Sequence, residues 1–279
     1  MTGTHPMRFR RPTHGRRTVG VALGLAGLAA GAVVASTPSY GSSSAPAAAP
    51  ASSSVRLASD RTVLSSRKIG HSVRGHPIRA YELGSRKADK TVVLIGAMHG
   101  DEREGTTVID GLLKGRPIRG VHIWAVRVDN RDGYLTGHRR NARGVDLNRN
   151  FPTRWKRLTG DFDSGPRPAS EPETRALMRF LDRVDPGHVV TMHSPLHGID
   201  VYGAKDRPFA RRLSREMGLP RKSFNCSGVC HGTLTQWFNR HHDGACVTVE
   251  FGDHPKGRYL HGRATRGLLR AIGGRYAYE

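Results

Sequence analysis

Four runs of apolar, largely β-branched residues punctuate the chain: TVVLIGAM at 91–98, GVHIWAVRVDN at 120–130, GHVVTMHS at 187–194 and GACVTVEFG at 244–252. They are nearly continuous rather than alternating, the pattern of strands covered on both faces. Segments with helical spacing lie between and after them: EGTTVIDGLLKG, SEPETRALMRFLDRV, DRPFARRLSREMGL and YLHGRATRGLLRAIGG. In the second of these, Ser170 with Glu173 three residues on predicts a capping box. RKIGHSVRGHPIRAYELGS predicts an antiparallel hairpin at the sheet edge. Strands alternating with helices predict an α/β domain with a mixed, largely parallel central sheet and helices on both faces.

Polar residues gather where these runs stop. His99, Asn130, His193 and Glu250 lie at or just past their C-terminal ends, where an open α/β sheet forms its ligand crevice. His99 and Glu102, three apart on a turn entering a helix, share one face and can bind one ion. Zinc hydrolases typically use three protein ligands and leave a fourth position for water, and two His with one Glu is a known set. His193, at another strand end, is the candidate third ligand. With fifteen histidines in the chain, His99 alone is more ordinarily a core or surface residue. The conjunction carries the reading; His188 and His197 end no apolar run and read as structural.

The block GHRRNARGVDLNRNFP, residues 137–152, is more specific. Asn148 and Arg149 place an amide beside a guanidinium, whose fork matches a carboxylate bidentately. Asp146 can accept the free N–H of a ligating histidine and fix its tautomer. Arg139 is left to polarise a carbonyl.

Composition changes the picture at the N-terminus. Five arginines precede TVGVALGLAGLAAGAVVA, an uncharged Gly/Ala-rich stretch, and Val33 and Ala35 offer small residues for cleavage. Residues 1–35 therefore read as an export signal, by the general secretory or twin-arginine route, rather than as a stable membrane anchor. Residues 36–57, rich in Ala, Ser and Pro, read as a flexible linker, and 58–279 as one catalytic domain. The formal charge is +22, and without the arginines before residue 36 it is +17. For an exported chain without a nucleic-acid motif, that charge points to an anionic cell wall or simply to a solvated basic surface, not to nucleic acid. Of three cysteines, Cys226 and Cys230 in NCSGVCHG are expected to pair in an oxidising compartment, leaving Cys246 in a buried strand.

HGDE, GVDLNRNFP and the strand-end MHS and VEFG together resemble the zinc carboxypeptidases of the carboxypeptidase A type, within them most the murein peptide amidase branch. The resemblance spans roughly residues 65–255. It implies one zinc ion held by His99, Glu102 and His193, Glu250 as general base, Asn148 and Arg149 on the substrate's terminal carboxylate, and Arg139 at the oxyanion. Arg140 and Arg143 compete with Arg139, whose distance from Gly144 fits the pattern best. Thr235 falls where the family lines its specificity pocket and suits a polar side chain. The implied reaction is hydrolysis of the γ-D-glutamyl to diaminopimelate bond of cell-wall peptides by a secreted enzyme. A general carboxypeptidase, an aspartoacylase-like deacylase and a non-enzymatic cationic wall-binding module are the alternatives. One departure stands out: the family's mobile tyrosine would fall near Gly228, where NCSGVCHG has none. His231 or the bound water is left to handle its proton.

Overall fold

The computed structural model describes residues 62–224 and 228–278; the expected export segment and linker lie outside these residues. The chain builds ten strands and seven α-helices in this range, besides two short 3-10 turns and one π-turn. The strands are β1 Val63–His71, β2 Pro77–Gly84, β3 Thr91–Ile95, β4 Ile118–Arg119, β5 His122–Val126, β6 His188–His193, β7 Gly198–Asp200, β8 Arg221–Lys222, β9 Ala245–Glu250 and β10 Arg275–Tyr276. The helices are α1 Glu104–Leu113, α2 Arg131–Thr136, α3 Pro172–Val184, α4 Arg207–Met217, α5 Leu234–His241, α6 Gly257–Tyr259 and α7 Thr265–Ala271. No helix of the described residues is long and apolar enough to cross a membrane.

Eight strands form one sheet in the order β1-β2-β5-β3-β6-β9-β7-β8. The four apolar runs are its parallel centre, with β5, β3, β6 and β9 side by side. β1 and β2 form the expected antiparallel hairpin at one edge. At the other edge β7 runs antiparallel to β9 and parallel to β8.

The central strands carry apolar residues on both faces because each face has its own core. Val92, Leu94, Val190, Met192, Val247 and Val249 pack with residues of α1, α4 and α7. Their neighbours Val93, Ile95, Val189 and Cys246 pack instead with Leu177 and Phe180 of α3 and Trp237 and Phe238 of α5. The period of two along a strand thus sorts one apolar run into two layers. Cys246 is free and buried, and burial pushes its thiol up to about 12. Cys230 is disulfide-bonded; its expected partner Cys226 lies outside the described residues.

The capping box at Ser170 does not form. Pro172 takes the first position of α3 with Glu171 as cap, and no side chain caps it. Ser170 Oγ donates to Glu171 instead, at 2.7 Å. Glu173 accepts from the Val73 backbone N–H at 2.9 Å. A pyrrolidine at the helix start needs no N–H partner, so the serine is released for another bond.

Candidate active site

His99 and Glu102 lie on the turn between β3 and α1, where the Glu102 N–H donates to the His99 carbonyl at 3.3 Å. This turn packs against the loop at α2. A Cβ on Gly100 would sit 2.1 Å from the Gly133 carbonyl carbon and 2.5 Å from the His138 oxygen, so only glycine allows the approach. Asn130 serves that loop and not the site: its side chain caps α2 by accepting from Gly133 N and donates to the Arg139 carbonyl.

β6 and β9 pair in register so that His193 stands directly beside Glu250. With β3 on the other side of β6, the separate sequence stretches converge. Glu102 Oε1 lies 2.7 Å from His99 Nδ1 and its Oε2 lies 2.8 Å from His193 Nδ1, while the two imidazole nitrogens are 3.2 Å apart. The ligand atoms of the three residues all lie within 4.8 Å of one another, and all three residues are buried.

Each outward ring nitrogen is held from behind. His99 Nε2 lies 2.9 Å from Asp146 Oδ1, and His193 Nε2 lies 2.9 Å from the Thr191 hydroxyl. Asp146 therefore stands where its expected supporting role requires. Thr191 is a partner that sequence reading missed, although its place two residues before His193 puts both on one side of β6.

Burial works against charge here, and the groups offset it for one another. Burial opposes a charged His99, but Glu102 and Asp146 more than reverse this and raise it to about 9. Glu102 and Asp146 are likewise disfavoured as anions by burial, yet the imidazoles beside Glu102, and His99 with Arg139 beside Asp146, hold both carboxyls well below the usual range. Two imidazole nitrogens and a carboxylate, with the outward nitrogens already fixed, are a donor set that fits zinc.

Above the triad opens a cavity of about 830 Å³. Glu250 lines it, accepts from the Leu196 N–H at 3.2 Å, and has its carboxyl pushed up by burial. Arg139 is steered by two acids: its Nη2 lies 2.9 Å from Asp146 and its Nη1 lies 3.2 Å from Glu102. Arg140 instead reaches the Gly160 carbonyl and Arg143 pairs with Glu171, so neither competitor faces the triad. Phe162 lies under the guanidinium groups of both Arg139 and Arg149, 5.6 and 5.3 Å from its ring centre. It was not foreseen from sequence.

Asn148 and Arg149 also line the cavity. Asn148 Oδ1 accepts from Leu234 N at the start of α5, at 3.0 Å, which turns its amide nitrogen free. Arg149 is buried, burial lowers its pKa, and its Nε has no partner. Gly232, at φ +66°, closes the neighbouring loop on them: a Cβ there would meet the Arg149 carbonyl oxygen at 2.4 Å. Thr235 lines the cavity as expected, with its hydroxyl 3.0 Å from that of Thr248. No tyrosine lines the cavity among the described residues, and His231, its Nδ1 buried without a partner, does not line it either.

The zinc carboxypeptidase family profile matches residues 56–202. This chain belongs to the zinc carboxypeptidase family. Murein peptide amidase A of Escherichia coli strain K12 is 30% identical over 224 residues, covering 72% of this chain and 88% of the relative. The Vibrio campbellii protein of that name is 29% identical over 195 residues, covering 65% and 77%. Among solved structures, murein-tripeptide amidase from Escherichia coli O157 aligns with a TM-score of 0.62 at 26% identity, over 75% of this chain and 91% of that one. Carboxypeptidase A from Helicoverpa armigera shares the fold, with a TM-score of 0.64 at 14% identity over 76% and 68%. As a zinc carboxypeptidase the chain is a hydrolase, homologous to murein peptide amidase A and expected to work with zinc.

Proposed function

We propose that this chain is an exported zinc peptidase that hydrolyses an amide bond next to a free carboxylate, the γ-D-glutamyl to diaminopimelate bond of cell-wall peptides. The observation that carries the reading is the convergence of His99, Glu102 and His193 beneath a cavity whose wall holds Arg149, an underpartnered guanidinium. The 88% coverage of a murein peptide amidase supports the choice of substrate.

His99, Glu102 and His193 would hold the zinc ion, which when bound would supply Lewis acidity and make water a better nucleophile. Arg149 and the free Asn148 amide orient the peptide by its carboxylate. Glu250 accepts the attacking water's proton at its carboxylate and returns it to the leaving amine nitrogen. Burial keeps that carboxyl readier to hold a proton than an ordinary glutamate. Arg139, its direction fixed by Asp146, faces the oxygen on which negative charge develops.

Three features favour action outside the cell: the signal-like residues 1–35, the disulfide at Cys230, and a basic surface suited to an anionic wall. The test is digestion of purified muropeptides by residues 58–279, with mass analysis of the fragments. Loss of glutamyl-diaminopimelate cleavage on chelation and its return with zinc are expected. Release of ordinary C-terminal amino acids in its place selects a general carboxypeptidase, and zinc-independent cleavage overturns the metal assignment. N-terminal analysis of protein from the culture medium checks export; an intact residue 1–35 segment on cytoplasmic protein refutes it.

A further inference from the structure

The cavity wall remote from the triad is polar, but most of its polar atoms are already engaged. Thr235 bonds Thr248, both ends of the Asn239 amide are taken by the Cys246 backbone, and Gln236 bonds the Cys230 carbonyl and the Thr233 N–H. Among the described residues on this wall, three charged groups keep uncommitted atoms. Arg154 and Arg240 have no ion pair and no side-chain hydrogen bond. Asp200 accepts from the Tyr202 and Gly203 N–H groups through Oδ1 only, leaving Oδ2 open.

The topology divides these charges between two sides. Arg240 lies one turn along α5 from Gln236. Arg154 follows Thr153, whose hydroxyl meets His241 of the same helix end at 3.1 Å, so both arginines flank one contact. Asp200 ends β7, one residue beyond the Ile199–Val249 pair, which sets it between Thr248 of β9 and Lys222 of β8, whose ammonium donates to the Leu196 carbonyl. The Thr235–Thr248 pair lies between, a small neutral floor.

Resting on the proposed reaction, we infer that this wall reads the side chain of the released residue, and that this side chain ends in both an ammonium and a carboxylate. Asp200 takes the ammonium, and Arg154 with Arg240 take the carboxylate, while Arg149 is reserved for the carboxylate beside the cleaved bond. An amino-acid head at the far end of the leaving residue satisfies all three groups. A neutral or apolar side chain satisfies none.

The test compares three γ-D-glutamyl dipeptides on the zinc-loaded chain. They carry meso-diaminopimelate, the same residue with its distal carboxylate converted to a carboxamide, or lysine, which has the ammonium alone. Because the charges are partly solvated, each distal group is expected to contribute about fivefold or more in kcat/KM, expressed mainly in KM. Arg154→Gln with Arg240→Gln should erase the preference for free diaminopimelate over its amide. Asp200→Asn should reduce turnover of the lysine and diaminopimelate peptides together. Equal turnover of all three by the unaltered chain, which no folding defect can explain, overturns this inference and leaves the proposed reaction standing. Absence of turnover from all three overturns both.

Discussion

The two walls of the cavity are built on opposite plans. On the triad side the charged groups around the histidines answer one another: the buried His99 lies between Glu102 and Asp146, and the half-buried Arg139 contacts the same two acids. On the far side Arg154 and Arg240 are exposed and face open space. Groups that must hold one arrangement through every turnover are fixed from behind before substrate arrives. Those that choose among substrates are left for the substrate to complete. The first wall should be intolerant of change and the second tunable.

Glu250→Gln should break the first wall's chemistry most completely. The amide keeps the shape but cannot take a proton, so activity is expected to fall by about a hundredfold to ten-thousandfold while bound zinc, measured by elemental analysis, stays stoichiometric. Hydrolysis at the unaltered rate removes Glu250 as the base. Arg139→Ala removes one preorganised donor, a loss of about 3 kcal/mol or roughly a hundredfold in kcat. An unchanged kcat with a raised KM assigns the arginine to binding instead.

Thr191→Val sharpens the contrast between fixed and open groups. It removes the partner of His193 Nε2 and should weaken zinc binding about tenfold or more in chelator competition. Unaltered affinity means that the histidine is held by packing alone.

The smallest effect concerns stability. Asp129 is buried, neither carboxylate oxygen has a partner, and burial with the nearby Glu173 raises its pKa well above the ordinary value. A raised carboxyl pKa binds protons more tightly in the folded state, so the contribution is lost as pH rises from the unfolded value toward the folded one. Asp129→Asn should therefore melt higher than the parent chain at pH 7, by about 2–4 °C for each kcal/mol relieved. The gap should narrow toward pH 4; a pH-independent gap shows that charge is not its origin.

The parallel centre and the triad were legible in the sequence for one reason. Buried strands are continuous apolar runs, and their ends are where side chains meet a crevice, so HGDE, MHS and VEFG could be aligned in space before any coordinates. β7 and β8 were not legible: with three and two residues they are too short to show a period. Thr191 and Phe162 escaped because their importance lies in what they touch across the fold. Ser170 misled because a local motif was outcompeted by the proline beside it.

Leu234 N of α5 and Asn148 Oδ1 share a hydrogen bond, and Phe151 N donates to the Gly232 carbonyl at 2.9 Å. The anchor for the leaving residue's carboxylate is thereby tethered to the helix that inspects that residue's side chain. Redesigning α5 for a new leaving group will shift that anchor as well, so altered selectivity should arrive with a changed reach between clamp and scissile bond.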